Sequence, residues 1–90
     1  MQDYKRKLDN LIDGFLNGKM DADSFESDFS HILDFEELEF DEKVMKYFSA
    51  IRKLLEHYTF SQEDIKKYPK FYIGSEQLRD QIQIMKMERN

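Results

Sequence analysis

The chain of 90 residues has no cysteine or tryptophan, a single proline and three glycines. Without cysteine it has no disulfide framework, no thiolate zinc site and no cysteine nucleophile, which suits a reducing cytosol. Its apolar runs are much shorter than the roughly 20 residues of a membrane span. Its basic N-terminal stretch is not followed by the apolar segment of a secretory signal. We therefore expect a cytoplasmic protein that does not contact a membrane.

The composition is that of one small folded domain, which we place at residues 1–90. Hydrophobic residues make up 40% of the chain and aromatic residues 14%, which is enough to build a core. Strong strand signals are absent, and apolar residues recur at spacings of three and four almost everywhere. This periodicity predicts an all-α fold.

Four amphipathic helices are predicted, at about 3–17, 21–34, 41–58 and 75–89, and they imply a four-helix bundle. Candidate helix caps are Asp21 or Asp23, Asp41 and Ser75, and Gly18 suits the position after the first helix. We expect residues 34–40 to be a link with one turn. Ser61 is a candidate cap for a further single turn.

Charge is concentrated in residues 21–42, which hold ten acids and no lysine or arginine. This window therefore carries −10 in a chain of net charge −5, and the remaining residues carry about +5. Seven apolar residues lie among the acids, so we interpret the window as an acidic surface on an apolar frame. They are Phe25, Phe29, Ile32, Leu33, Phe35, Leu38 and Phe40.

The acids do not match a metal site or an active site. The sixth position of a calcium loop beginning at Asp21 is Glu26 where glycine is needed, and the twelfth is Ile32 where glutamate is needed. Asp28 and His31 have the spacing of a di-iron pair, but His57 has no matching acid. Hydrolase and phosphate-loop motifs are also absent. We expect no enzyme activity, no cofactor and no metal.

Two interpretations of the acids remain open at this point. Some belong to ordinary solvated helix faces, as in the pairs of Glu42 with Lys46 and Arg52 with Glu56. However, many acids of one sign repel each other, and a mixed surface would serve solubility equally well. We favour a binding surface for a basic protein, and direct nucleic-acid binding is disfavoured because it needs a basic surface. Four aromatics near irregular chain are candidates for either core or interface: Tyr58, Tyr68, Phe71 and Tyr72.

Several short motifs occur in a familiar order. The first helix ends in FLNGK at 15–19 and is followed by ADSFE at 22–26. Glu56 stands two residues before Tyr58, and EQLR at 76–79 is the last of the motifs. This order resembles the bacterial self-protective colicin-like immunity proteins, the family of the colicin D immunity protein. The family often has an acid and a proline, then an arginine, shortly after the tyrosine, whereas residues 60–65 here contain no proline.

The resemblance implies a helical bundle that binds a cognate nuclease toxin, often a tRNase, in the bacterial cytoplasm. Family members cover the basic active-site cleft with acids that stand in for substrate phosphates. We expect a monomer when no toxin is bound. The alternative is a small acidic regulator or antitoxin-like module for another basic nucleic-acid-binding protein. The predicted toxin contacts are Glu36, Glu37, Glu39, Asp41 and Glu42, with Glu56, Tyr58, Glu63 and Asp64 as second choices.

Overall fold

A computed structural model describes residues 3–89, with side chains for 3–88, and confirms the all-α prediction. The predicted domain ends, Met1, Gln2 and Asn90, lie outside the described residues. The segment that the sequence assigned to one turn after Ser61 is a short fifth helix, so the described chain has five helices. They are α1 (Tyr4–Leu16), α2 (Ala22–Phe35), α3 (Glu42–Leu55), α4 (Gln62–Lys67) and α5 (Ser75–Arg89).

Aspartate caps start the first three helices. The carboxylates of Asp3, Asp21 and Asp41 each accept a hydrogen bond from the backbone N–H three residues on, at 3.1, 2.7 and 2.9 Å. Each bond satisfies a donor that the first turn of a helix leaves without a partner. The sequence predicted the cap at Asp41 and left Asp21 and Asp23 open for α2, where the structure has Asp21. After α1, Gly18 adopts the expected positive φ of 75°.

The core lies between the four long helices. α1 packs against α2 and α5, and α3 packs against the same two helices. A row of phenylalanine rings joins the first three helices: Phe15 stacks on Phe25 at 4.7 Å, and Phe29 lies 6.1 Å from Phe48 between ring centroids. The buried apolar side chains are Leu8, Ile12, Phe15, Ala22, Phe25, Phe29, Ile32, Phe48, Ile51, Leu55, Leu78 and Ile82.

The third helix ends three residues earlier than predicted, because its continuation pairs with the chain before α5. The backbone N–H of Ile73 donates to the carbonyl of His57 at 2.8 Å, and that of Thr59 donates to the carbonyl of Ile73 at 3.0 Å. These bonds form an isolated parallel bridge between Tyr58 and Ile73. Tyr58 therefore lies outside the helix, and the backbone beside it is paired with Ile73.

Two other boundaries also differ from the prediction. α2 continues to Phe35, and residues 36–41 contain no helical turn, so the turn predicted in this link is absent. Ser75 is the first residue of α5 rather than its cap, and the N–H of Leu78 donates to the carbonyl of Gly74 at 3.0 Å. Shifts of one or two residues at helix ends are common.

Candidate protein-binding surface

The structure separates the nine predicted contact residues into two groups. The first group lies between α2 and α3 or at the start of α3: Glu36, Glu37, Glu39, Asp41 and Glu42. The second group follows the end of α3: Glu56, Tyr58, Glu63 and Asp64. Because α3 has 14 residues, Glu42 at its start and Glu56 just after its end lie about 20 Å apart along the helix. The prediction that all nine serve one contact therefore requires a partner that spans this distance.

Residues 36–41, which we call the acidic link, are held against the fold at both ends. The hydroxyl of Tyr4 donates to the Glu36 carboxylate at 2.8 Å, and Asp41 caps α3. Between these points Leu38 and Phe40 pack against the core, and the Phe40 ring lies 5.4 Å from that of Phe48. The acidic link therefore has an apolar inner side that fixes its course.

Glu37 and Glu39 alternate with those apolar residues and are exposed. Within residues 3–88 neither carboxylate has a hydrogen bond or ion pair. Their charges are therefore not neutralised by the described part of the chain. In this respect they differ from Glu36, whose hydrogen bond from Tyr4 raises the pKa of that phenol.

A groove of about 620 Å³ runs beside the acidic link. Its apolar surface comes from Tyr4, Phe40 and Val44, and carboxylates surround it. The one base among its lining residues, Lys5, forms an ion pair with Asp9 at 3.1 Å. The groove is lined by Asp3, Tyr4, Lys5, Glu37, Glu39, Phe40, Asp41 and Val44.

Glu42 completes the first group at the start of α3. It forms the predicted ion pair with Lys46, at 3.6 Å, and both side chains are more than three-quarters exposed. Pairs this exposed contribute little because water screens them. Breaking this pair therefore costs little.

In the second group, Tyr58 is tied to the start of α2. Its hydroxyl donates to the Asp23 carboxylate at 2.7 Å. Partial burial raises the pKa of Tyr58 to about 12, with further contributions from this hydrogen bond and from the nearby charges of Asp23, Asp21 and Glu26. The side chain joins two helices, so it has a structural role beyond the interface role that the sequence suggested. Sequence spacing cannot reveal this pair because 35 positions separate the two residues.

The acids of the second group are partly engaged within the fold. Arg52 binds the Asp34 carboxylate with Nε at 3.2 Å and Nη2 at 3.1 Å, and its Nη1 lies 3.9 Å from Glu56. The bond to Asp34 raises the pKa of Arg52. Asp64 lies 3.4 Å from the Thr59 hydroxyl, whereas Glu63 is exposed in the first turn of α4.

Phe35 does not belong to the predicted apolar frame. It is the last residue of α2, and 75% of its surface is exposed. Its ring lies 5.1 Å from that of His31, which is also exposed. Tyr68 and Phe71 are 58% and 51% exposed, so neither belongs to the core, and Tyr72 is half-buried.

The part of the chain that the structure describes holds no group of three or more acidic or histidine side chains arranged for a metal ion. None of its helices is long and apolar enough to cross a bilayer. No protein-family model matches this chain, and comparisons with curated proteins and solved structures find no match either.

Proposed function

We propose that this protein is a bacterial immunity protein that binds a cognate nuclease toxin of the tRNase class in the cytoplasm. In this proposal α1, α2, α3 and α5 form a four-helix bundle that serves as the scaffold. The acidic link enters the basic active-site cleft of the toxin and excludes the nucleic acid. The protein has no catalytic residue and takes no cofactor.

The proposal depends on the exposed, unpaired carboxylates of Glu37 and Glu39. Both are exposed, and neither is neutralised within residues 3–88. Ionised carboxylates with free acceptor sites bind arginine and lysine more strongly than neutral acceptors do. A nuclease cleft must present such cations to bind phosphates. The acidic link offers it carboxylates in place of phosphates.

The fixed course of the acidic link also favours binding. Leu38 and Phe40 hold it on the core, so little conformational freedom is lost when a partner docks. The groove next to it combines apolar surface from Tyr4 and Val44 with the carboxylates. Such a groove suits the side chain of arginine or lysine, which has an apolar stem and a charged head.

The direct test uses the nuclease domain encoded immediately upstream of this gene, where an immunity gene's toxin is expected. The purified domain is incubated with tRNA and increasing amounts of this protein, and the remaining intact tRNA is measured. We expect cleavage to stop at equimolar protein. Undiminished cleavage in the presence of excess protein would contradict the proposal.

The alternative function, an acidic regulator of another basic nucleic-acid-binding protein, uses the same carboxylates. Gene position distinguishes the two functions: an immunity gene is expected directly downstream of its toxin gene, whereas the gene of a regulator is not. A regulator would also leave the nuclease fully active while displacing nucleic acid from its own partner. A gel-shift competition with that partner would detect this displacement.

A further inference from the structure

A second exposed surface lies near the C-terminal end of α3, whereas the acidic link precedes the start of that helix. It comprises the last turn of α4 and the residues that follow, 66–72, which we call the basic aromatic loop. Its exposed side chains are those of Lys66, Lys67, Tyr68, Pro69, Lys70 and Phe71. Within residues 3–88, none of these lysines has an ion pair or a hydrogen bond. The surface therefore combines free positive charge with exposed rings.

The basic aromatic loop is fixed to the rest of the fold. His57 Nδ1 lies 2.8 Å from the carbonyl oxygen of Phe71, and the backbone N–H of Tyr72 donates to the carbonyl of Tyr68 at 2.9 Å. The Phe71 ring packs edge-on against those of His57 and Tyr72, at 4.7 and 4.8 Å between centroids. A partner therefore meets a surface that is already ordered, which lowers the entropy cost of docking.

The ring geometry disfavours single-stranded nucleic acid as the occupant. The planes of Tyr68 and Tyr72 cross at 65°, and those of Phe71 and Tyr72 at 86°. Successive bases stack on rings whose faces are open and aligned, and these steeply crossed planes do not form an aligned series. The net charge of −5 also repels a polyanion.

The matching surface exists on the same chain. Phe35 is 75% exposed, lies beside Asp34 and Glu36, and leads directly into Glu37 and Glu39 of the acidic link. Arg52 binds the Asp34 carboxylate and Tyr4 donates to that of Glu36, so the free charge near the Phe35 ring is that of Glu37 and Glu39. One surface therefore presents exposed rings among lysines, and the other presents an exposed ring followed by two unpaired carboxylates. Within residues 3–88 no hydrogen bond, ion pair or ring contact joins the two surfaces, so each is open to a second molecule.

We propose that the basic aromatic loop of one copy docks onto Phe35 and the acidic link of a second copy. Tyr68 and Phe71 contact Phe35, while Lys67 and Lys70 face Glu37 and Glu39. The contact is concentration-dependent, so the chain remains the expected monomer when dilute. This inference does not rest on the proposed function. It does imply that a basic partner and a second copy compete for the acidic link.

Sedimentation equilibrium over a range of protein concentrations, at low and high salt, tests the proposal. We expect the average mass to rise above that of the monomer with concentration at low salt. It should return to the monomer value at high salt, where the charge contribution is screened. A monomer at every concentration at low salt would overturn the proposal.

A charge swap identifies the surfaces. Lys67→Glu/Lys70→Glu and Glu37→Lys/Glu39→Lys should each weaken self-association by about tenfold or more, since like charges then face each other. An equimolar mixture of the two variants should associate again, because each altered surface then meets one of opposite charge. Failure of the mixture to associate would contradict the proposed pairing.

The matched control is Lys7→Glu/Lys19→Glu, which makes the same change in net charge at exposed lysines outside both surfaces. It should self-associate like the unaltered protein. If it loses as much self-association as the loop variant, net charge alone explains the loss and the proposed pairing is wrong. Circular dichroism confirms that each variant is folded. A probe of about ten uridines tests for nucleic acid. Lysine-dependent binding of that probe, without self-association, would overturn the proposal.

Discussion

The hydroxyl of Tyr58 donates a hydrogen bond to the carboxylate of Asp23, with 2.7 Å between the two oxygens. This bond joins the chain just after α3 to the first turn of α2. The backbone of Tyr58 also pairs with Ile73, so one residue connects α2, α3 and the segment that leads into α5. The half-buried ring packs against the core beneath it.

Tyr58 should make stability depend on alkaline pH. Its pKa is about 12 in the fold and 10.0 in the unfolded chain. The protonated phenol is therefore favoured by folding, so its contribution to the free energy of unfolding is complete below pH 10 and is lost as the pH rises through 12. Tyr58→Phe should lose less stability over this interval. Urea unfolding at several pH values measures the difference, and parallel curves for the two proteins would contradict it.

Gly18 and Gly14 should respond in opposite directions to alanine. Gly18 has a φ of 75°, where an alanine is strained by about 1–2 kcal/mol, so Gly18→Ala should lower the free energy of unfolding. Gly14 lies inside α1, and an added Cβ would meet the sulfur of Met20 at 3.7 Å, an ordinary contact. Gly14→Ala should therefore raise stability by about 1 kcal/mol through helix propensity. Thermal unfolding of both variants tests the pair, and a change of the same sign would refute it.

Asp41 has two roles that substitutions can separate. Asp41→Asn keeps a good helix cap and removes the charge, whereas Asp41→Ala removes both and should cost about 1 kcal/mol of stability. We expect Asn to preserve the free energy of unfolding and to slow association with a basic partner. Chemical denaturation and binding kinetics are measured on the same samples. Equal association rates for Asn and the unaltered protein would remove Asp41 from the binding surface.

The helices were predictable because their signals are local. Phe25, Phe29 and Ile32 recur at helical spacing, and all three are buried in α2. The caps at Asp21 and Asp41 precede the helices they start, so a few neighbouring residues contain the whole signal. The short helix after Ser61 was indicated by the same chemistry, although its six residues exceed the predicted single turn.

The contacts between helices were not predictable, because they depend on how the helices pack. The bonds of Arg52 to Asp34 and of Tyr58 to Asp23 span 18 and 35 positions, and no sequence period encodes either. Phe35 illustrates the same limit. It follows Ile32 at a helical spacing, yet it is the last residue of α2 and its ring is largely exposed. For the candidate surface, the sequence indicated the acids but could not show which of them the fold engages.

In the proposed function the acidic link binds a basic nuclease cleft. The rate of association with the nuclease domain expected to be encoded upstream of this gene tests that proposal. Stopped-flow measurements at several salt concentrations compare the unaltered protein with Glu37→Lys/Glu39→Lys. The control, Asp28→Lys/Glu88→Lys, changes the net charge equally at exposed acids elsewhere.

We predict that reversing the link charges slows association by about tenfold or more and weakens its dependence on salt, because electrostatic attraction steers the encounter. The control should keep most of the rate and the salt dependence of the unaltered protein. Unchanged association of the link variant, or an equal loss in the control, would contradict the assignment of the acidic link as the binding surface.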